Sequence, residues 1–309
     1  MGRPVPASAR PATTVKPAIG RVGWASAMGA GALVALIRFL PGRALRGLAW
    51  AVGRSAYVLR IRRRVALDNL AHAFPEKSEA ERKRIAQGAY VNMALAALEA
   101  VSATGLTDRA LESTVVLENW ASVEAAIAAG KGVLVASGHF GSWELFADVM
   151  ARRGYPLNAV VRPLTGALNA RIVEARRRSG VRLILQRGAL REMLAALRRG
   201  EVVAQLVDQA LPSKSALWVP FFGRPASTTP ALSTAALRTG APVFVMLAAR
   251  EGARLRVYAE GPIPMPDTGD RRQDVILHAT RVTEVVERYV RRYPEQWLWL
   301  HRRWKQPTG

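Results

Sequence analysis

The sequence predicts an α/β fold: a single domain with a mixed, largely parallel central sheet surrounded by helices, preceded by an N-terminal membrane-associating helix. Three observations predict this fold. From Val115 onward, short apolar runs alternate with longer amphipathic segments, as expected of strands that alternate with helices. The run 132–137 (GVLVAS) is apolar on both faces, which is typical of a strand buried between two helix layers. No internal repeat or linker divides this region, so it forms one domain.

The composition excludes several classes of protein. The chain has 309 residues, of which 50% are hydrophobic and 22% charged, and it has no cysteine. It is too charged for a polytopic membrane protein and too apolar for a disordered chain. Without cysteine it has no disulfides, thiolate nucleophiles or cysteine-ligated metals. The net charge of +22 predicts a polyanionic partner, namely nucleic acid, an anionic lipid surface or an acidic protein.

The N-terminal part of the chain favours a lipid surface. Residues 1–20 are predicted to be a disordered basic tail, because they are rich in Pro, Ala and basic residues and have no apolar periodicity. Residues 21–54 are predicted to be a membrane-associating helical segment, and the positive charge is concentrated here because no Asp or Glu occurs before Asp68. The uncharged run Val22–Ile37 is shorter than the roughly 20 residues that span a bilayer. A signal sequence, a buried helix and an interfacial helix are all compatible with that run. The interfacial helix is favoured because apolar and cationic residues recur together after it: Leu45, Leu48, Ala49 and Val52 beside Arg43, Arg46 and Arg54.

Residues 55–309 are predicted to be the α/β domain, which begins with helices. One helix starts near Ala66 and ends before Pro75. Ser78 and Glu81 then form a capping box that begins the next helix, whose apolar stripe is explained by core packing. A cationic cluster precedes these helices and is either suited to lipid phosphates or a solvated face: Arg60, Arg62, Arg63 and Arg64.

The rest of the domain is predicted to alternate between strands and helices. The predicted strands are Val115–Glu118, Gly132–Ser137, Asn158–Val161, Val181–Leu185, Val202–Val207, Pro242–Leu247 and Leu255–Glu260. The predicted helices are Ala121–Ala129, Leu145–Arg153, Leu168–Ser179, Ala189–Arg199, a segment from Thr229-Pro230 to Gly240, and Asp274–Arg291. Several of these helices end at a glycine, the usual helix stop.

One histidine occupies a position typical of a functional residue. The histidines are far apart and lack metal-ligand spacing, so we expect no metal site. His139 lies in the segment 137–144 (SGHFGSWE), between a buried strand and a helix with Ser142 as its N-cap. Sites in α/β sheets form there, beyond strand ends and beside helix N-termini. If the turn folds back, Glu144 can fix the tautomer of the imidazole as a general base; otherwise His139 is a structural turn residue.

Two further strand ends carry polar residues. Arg162 follows the strand 158–161, and Asp208 and Gln209 follow the strand 202–207. If these strands are parallel, His139, Arg162 and Asp208 lie at the same edge of the sheet. A base, a cation and a second carboxylate at one edge indicate an acyl- or phosphoryl-transfer site. Taken singly, Arg162 and Asp208 fit structural ion pairs equally well.

The segment from His139 to Glu144 matches the H-x4-[DE] signature of glycerolipid and lysophospholipid acyltransferases. The wider pattern resembles one branch of that superfamily, the late acyltransferases of bacterial lipid A biosynthesis, although Ser142 stands where that family commonly has Asn. The resemblance runs from about residue 24 to residue 305. Its blocks are Asn69-Leu70 with Phe74-Pro75-Glu76, Ser137–Glu144, Arg162-Pro163-Leu164, Asp208-Gln209, Val219–Gly223 and Pro294–Lys305.

The resemblance implies a membrane-associated enzyme at the cytoplasmic face of the inner membrane. It implies transfer of a fatty acyl chain from acyl carrier protein, or from acyl-CoA, to a hydroxyl of a lipid A precursor, without a metal or other cofactor. By position, His139 is implied to be the general base and Glu144 its partner, with Asp208 as a further catalytic carboxylate. The residues expected to contact substrate are Arg162, Gly141, Ser142 and Gln209.

Further expectations concern the groups around these residues. Backbone N–H groups of residues 140–142 are expected to hold the oxyanion. Phe221 and Phe222, with residues 33–52, either line an acyl groove or belong to the core. The block 294–305 is expected to be structural and interfacial. Two alternatives stay open: acylation of another glycolipid, such as a phosphatidylinositol mannoside, from acyl-CoA, and non-enzymatic nucleic-acid binding. The second lacks an aromatic-basic or helix-turn-helix motif, so no nucleic-acid partner is expected.

Overall fold

The computed structural model describes residues 36–162, 176, 179–211 and 216–305. The predicted tail 1–20, nearly all of the uncharged run 22–37 and most of the predicted helix 168–179 lie outside the described residues. The N-terminal membrane-associating helix therefore stays a prediction over most of its length. Within the described ranges, we find no helix with the length and apolarity needed to cross a bilayer.

Helices precede the sheet, as predicted. They are α1 (Gly42–Val58), α2 (Arg63–Ala73), α3 (Glu79–Ser102) and the short α4 (Asp108–Glu112). The capping box at the start of α3 is confirmed, because the Ser78 hydroxyl accepts the Glu81 N–H at 3.2 Å and the Glu81 carboxylate accepts the Ser78 N–H at 2.8 Å.

Helix α1 packs closely on α3. Its buried face follows the i, i+4 spacing that places residues on one side of a helix. At Gly53 the two backbones approach so closely that a Cβ atom would lie 2.6 Å from the Cα of Val91. Glycine is therefore required at this crossing. The buried residues of α1 are Leu45, Ala49, Gly53 and Tyr57.

Strands and helices alternate through the rest of the chain. In order, they are β1 (Val115–Glu118), α5 (Trp120–Ala128), β2 (Val133–Ser137), α6 (Trp143–Arg152), β3 (Leu157–Val161), β4 (Arg182–Leu185), α7 (Ala189–Arg198), β5 (Val202–Leu206), β6 (Leu217–Phe221), β7 (Arg224–Thr228), α8 (Ala231–Thr239), β8 (Val243–Glu251), β9 (Arg254–Glu260) and α9 (Arg271–Arg292). Short 3₁₀ turns occur at Ala103–Gly105 and Pro294–Gln296.

The central sheet is mixed and mostly parallel, which confirms that part of the predicted fold class. Its strand order is β1-β9-β8-β2-β5-β3-β4. Every neighbouring pair in it is parallel except β8 and β9, which form an antiparallel hairpin. Ser137 pairs with Leu206, so β2 and β5 end side by side at the same edge of the sheet.

The sheet lies between two helix layers because alternate residues of a strand point to opposite faces. Val133 and Val135 of β2 pack in one apolar cluster with residues of α5 and α6. Leu134 and Ala136 pack in the other, with residues of α7, α8 and α9. Burial of each such side chain contributes about 1.5–3 kcal/mol. The double-faced apolar pattern of the strand at 133–137 is thus explained by a helix layer on each side.

A second, two-stranded sheet was not predicted. Strands β6 and β7 form an antiparallel hairpin, with Phe222 and Gly223 between them. Phe221 and Phe222 are buried. The Phe221 ring packs against Trp297 and the Phe222 ring against Trp299, with centroids 5.4 and 6.1 Å apart. The suggestion that these phenylalanines line an acyl groove is therefore wrong; they belong to the core.

Candidate active site

Two adjacent strand ends bring His139 and Asp208 together. Each residue lies two positions beyond its parallel strand, β2 or β5. Asp208 Oδ1 is 2.9 Å from His139 Nδ1, and Asp208 Oδ2 accepts the backbone N–H of His139 at 2.7 Å. One carboxylate thus holds both the ring and the main chain of the histidine. The predicted meeting of these two residues at one sheet edge is confirmed.

The carboxylate of Asp208 is buried and remains ionised. The Trp297 indole N–H donates to Oδ2 at 2.9 Å. Burial opposes ionisation of this carboxyl, but the electrostatic interaction with His139 and the hydrogen bonds from His139 and Trp297 outweigh it, so the pKa of Asp208 lies below its ordinary value. Such a carboxylate stabilises an imidazolium formed beside it.

The contact with Asp208 determines which ring nitrogen is available. A carboxylate only accepts hydrogen bonds, so His139 carries its proton on Nδ1 and presents the Nε2 lone pair on the other side. The side chain of His139 is 21% exposed, so solvent reaches part of it. The amide nitrogen of Gln209 is 3.3 Å from Nε2.

Glu144 makes different contacts from those expected. Its carboxylate pairs with Arg176, whose Nε donates to Oε2 at 3.0 Å and whose Nη2 reaches Oε1. The Trp143 indole N–H also donates to Oε1, at 3.0 Å. Within the described residues, Glu144 makes no hydrogen bond to His139. The link between them is indirect, because the Trp143 ring packs edge-on against the imidazole with centroids 5.2 Å apart.

The turn after His139 is held by backbone contacts. Gly141 has φ +55°, and a Cβ there would lie 1.7 Å from the carbonyl oxygen of Ala248. Its N–H donates to the carbonyl of Gln296 at 2.8 Å. The N–H groups of Phe140 and Ser142 donate to the carbonyls of Gly138 and Ala248. The expectation that the N–H groups of residues 140–142 hold an oxyanion is therefore wrong, because all of them are already paired.

Ser142 and Arg162 also differ from expectation. Ser142 precedes α6, but it is fully buried and its hydroxyl donates to Glu99 at 2.7 Å instead of capping the helix. A direct contact with substrate is incompatible with that burial, so Ser142 supports the turn. Arg162 lies at the same sheet edge as His139, but its exposed side chain donates to Gln186 at 3.2 Å. It makes no contact with the His139–Asp208 pair in the described structure.

The C-terminal block 294–305 has the structural role predicted for it, and that role extends to the His139–Asp208 pair. Trp297 contacts Asp208 directly, and the N–H of Leu298 donates to the carbonyl of His139 at 3.2 Å. His301 Nε2 accepts the N–H of Ala210 at 3.0 Å, and burial lowers the pKa of this histidine to about 4, so it stays neutral. Sequence reasoning missed these supports. The density of Trp, His and Arg in residues 294–305 was the available signal.

An apolar cavity lies beside the Glu144–Arg176 ion pair. It has a volume of about 90 Å³ and lies between α6 and the sheet. Trp143, Glu144 and Arg176 belong to its wall, so the cavity adjoins the residues next to His139. The rest of the wall is mostly apolar and includes Val135, Phe146, Met150, Leu157, Val202 and Met246.

Comparison with known proteins places this geometry in context. A family model for bacterial lipid A biosynthesis acyltransferases matches residues 21–306. The lipid A biosynthesis lauroyltransferase of Escherichia coli K12 is 27% identical over 289 residues, or 93% of each chain. The lipid A biosynthesis palmitoleoyltransferase of the same organism is 27% identical over 257 residues, or 81% of each chain. Its lipid A biosynthesis myristoyltransferase is 26% identical over 241 residues, or 77% of this chain and 73% of the relative.

Proposed function

The chain belongs to the bacterial lipid A biosynthesis acyltransferase family, and from this we propose that it transfers a fatty acyl chain from an acyl carrier protein thioester to a hydroxyl of a lipid A precursor. The observation that carries the proposal is the His139–Asp208 pair. It places an imidazole, whose Nε2 contacts only the neutral Gln209 amide among the described residues, at the carboxyl edge of a mostly parallel sheet. General-base catalysis of this kind contributes roughly 10²–10⁴-fold to a rate.

The reaction steps follow from the tautomer. Nε2 of His139 takes the proton of the acceptor hydroxyl, while the Asp208 carboxylate stabilises the resulting imidazolium. The acceptor oxygen forms a bond to the thioester carbonyl carbon. Collapse of the tetrahedral intermediate breaks the C–S bond, and the imidazolium returns the proton to the leaving thiolate. No covalent acyl-enzyme is needed, which is consistent with a chain that has no cysteine.

Gln209 is the side chain placed to stabilise the intermediate. Its amide donates to Nε2 at 3.3 Å before a substrate arrives. When an acceptor hydroxyl takes that position on Nε2, the amide N–H groups become free to donate to the developing oxyanion. This role replaces the one expected of the N–H groups of residues 140–142.

The apolar cavity between α6 and the sheet supports an acyl substrate as a site for part of its hydrocarbon chain, since about 90 Å³ is too small for a whole fatty acyl chain. A hydrocarbon chain requires a site that is apolar and excludes water. The cavity wall is mostly apolar, and it includes Trp143, whose ring packs against the His139 imidazole. Glu144 and Arg176, also in the wall, neutralise each other's charge beside the proposed path of the acyl chain.

The exposed surface of the N-terminal helices supports membrane association. Phe39 and Leu59 are 84% and 73% exposed, and side chains this apolar and this exposed suit the boundary between headgroups and acyl chains. Further exposed apolar residues are Leu36, Trp50, Val52, Val58 and Ile61. Cationic residues of the same stretch suit anionic headgroups at the cytoplasmic face of the inner membrane: Arg43, Arg46, Arg54, Arg60, Arg62, Arg63 and Arg64.

The experiment uses purified protein, a glycolipid acceptor and one acyl chain presented on either acyl carrier protein or CoA. Mass spectrometry should detect a single acyl addition, faster from the carrier protein because an acidic protein is attracted to a chain of net charge +22. His139→Ala and Asp208→Asn should slow transfer by at least about 10²-fold.

The matched control for the loss of an imidazole is His72→Ala. His72 lies on α2 and packs against Trp304 instead of the site, so its removal should leave the rate within about twofold of wild type. Turnover of His139→Ala at the wild-type rate would contradict the mechanism. Transfer from CoA that equals or exceeds transfer from the carrier protein would contradict the proposed donor.

A further inference from the structure

A second pocket, with charged residues in its wall, opens between α1, α3 and the 3₁₀ turn Pro294–Gln296. Its volume is about 470 Å³. Three arginines belong to its wall: Arg54 on α1, Arg84 on α3 and Arg250 at the end of β8. The mechanism proposed above uses none of them.

The charges of this pocket favour an anion. Glu295 is a carboxylate in the same wall, so the lining carries more positive than negative charge. Arg250 also pairs with Glu99, with Nη2 2.5 Å from Oε2. Arg54 donates to the neutral side chain of Gln87 in the same wall, and Arg84 is exposed. Neither of these arginines has a carboxylate partner within the described ranges. Arginine presents several N–H donors in a fork that matches the oxygens of a phosphate.

Helix α1 extends the positive surface beyond the pocket. At 100° per residue, the side chains of Arg46, Trp50, Arg43 and Arg54 fall within one sector about 80° wide. Trp50, Arg43 and Arg54 lie beside the face of α1 that packs on α3, and Arg46 is exposed although it falls near the edge of that face. A ligand that enters from the side of α1 therefore meets cations before it reaches the pocket, beside the exposed apolar residues between Leu36 and Ile61.

The remaining wall suits a sugar. Glu295 can accept hydrogen bonds from hydroxyl groups. The indole of Trp50 is exposed, with the Arg54 guanidinium 6.0 Å from its ring centroid, and its uncovered surface is apolar and suits the C–H groups of a ring. Gly88 makes room for this carboxylate, because a Cβ there would lie 2.7 Å from the carboxyl carbon of Glu295. The lining thus combines cations with a carboxylate and an aromatic ring.

The pocket is joined to the turn that follows the proposed base. Asn92, in its wall, donates to the carbonyls of Gly141 and Gln296, each at 3.3 Å. Gln296, also in the wall, accepts the N–H of Gly141 at 2.8 Å. A molecule in the pocket therefore lies close behind the turn that positions His139.

We propose that this pocket binds the phosphate-bearing saccharide headgroup of the acceptor lipid, with Arg54 and Arg84 contacting the phosphate. This inference rests on the proposed function. The function itself does not require this pocket, because another surface could hold the acceptor.

The test compares Arg54→Gln/Arg84→Gln with the control Arg191→Gln/Arg198→Gln, which removes the same charge from exposed positions of α7. Equilibrium binding is measured in neutral detergent micelles with a glycolipid acceptor that carries its phosphate and with the same lipid after phosphatase treatment. The double variant should bind the phosphorylated acceptor about tenfold or more weakly, because two charge-assisted contacts are lost. Its affinity for the dephosphorylated lipid should equal that of wild type, and the control should match wild type for both.

Kinetics separate this proposal from the proposed function. With the phosphorylated acceptor, the double variant should raise KM about tenfold or more with kcat within about twofold of wild type. Absence of transfer by wild type would refute the function but leave the binding comparison decisive for the pocket. Equal affinity of the double variant and the control for the phosphorylated acceptor would overturn the pocket assignment. An equal loss of binding to micelles carrying phosphatidylglycerol in place of the glycolipid would also overturn it, since the site would then recognise bulk phospholipid.

Discussion

The Trp297 indole donates to Oδ2 of Asp208, the same oxygen that accepts the backbone N–H of His139. The two residues are 89 positions apart in the chain. Trp297 is buried, and it lies in an antiparallel bridge with Phe140, next to the histidine. The C-terminal segment therefore orients the carboxylate and the turn that carries the imidazole, although it was expected to be only structural and interfacial.

Trp297→Phe should weaken this arrangement without emptying the core. It removes one hydrogen bond to a buried charge, which is worth about 1.5–3 kcal/mol, and it raises the pKa of Asp208 toward its ordinary value. Urea unfolding should show that loss, and kcat should fall roughly tenfold because the imidazolium is less well stabilised. Trp299→Phe is the control, since its indole donates at 2.7 Å to the neutral carbonyl of Pro294. Equal kcat values for the two variants would show that the Trp297 contact does not serve catalysis.

Glu144 and Arg176 should act as a pair. The separate variants Glu144→Gln and Arg176→Gln each leave a partly buried charge without its partner, so each should slow acyl transfer about tenfold. The double variant should be no slower than either, giving a coupling of about 1–2 kcal/mol in a double-mutant cycle. The pH dependence of kcat should stay that of wild type in all three, because Glu144 does not contact the imidazole. A shifted pH profile in Glu144→Gln would assign it to the base after all.

Gly141 should tolerate no side chain. In Gly141→Ala the new Cβ would lie 1.7 Å from the Ala248 carbonyl oxygen, at a φ of +55°. We expect a loss of more than about 3 kcal/mol in the free energy of unfolding, together with loss of transfer, because the turn after His139 must move. Gly154→Ala is matched to it, since φ there is +85° but nothing lies within 4 Å of a Cβ. That variant should lose about 1–2 kcal/mol and stay active. Similar losses in both would show that strain alone, without the clash, determines the effect.

The buried His278 should make stability depend on pH. Burial lowers the pKa of His278 to about 4, from an ordinary value of 6.5. Between these values the unfolded chain binds a proton that the folded chain does not. The contribution of the neutral, buried His278 to the free energy of unfolding is therefore complete above pH 6.5 and is lost as the pH drops toward 4. The complete loss is about 3 kcal/mol. Denaturant titrations at several pH values give the free energy of unfolding as a function of pH. Between pH 6.5 and 4 this free energy should fall less steeply in His278→Asn than in wild type, whatever the stability of the variant at pH 7. Identical slopes would show that His278 does not cause the dependence.

The order of strands and helices in the sheet region was largely predictable from the sequence. The predicted strand 202–207 and the observed β5 (Val202–Leu206) differ by one residue, because a strand buried on both faces leaves a continuous apolar run. The hairpin of β6 and β7 was missed. Its strands contain prolines at positions 220 and 225, which remove backbone donors and obscure the strand pattern. The antiparallel pairing of β8 with β9 could not be predicted either, because the apolar pattern of one strand does not show which strand pairs with it or in which direction.

The amino-acid sequence alone identified His139, Asp208 and Gln209 as residues at strand ends, because apolar periodicity shows where buried strands stop. It did not reveal which carboxylate meets the imidazole. Glu144 is five positions away in the chain and contacts Arg176, whereas Asp208, 69 positions away, binds the ring. That choice depends on β2 and β5 being parallel neighbours in register, which is a property of the assembled sheet. The support from Trp297 and the pocket between α1 and α3 likewise arise only when distant segments pack together.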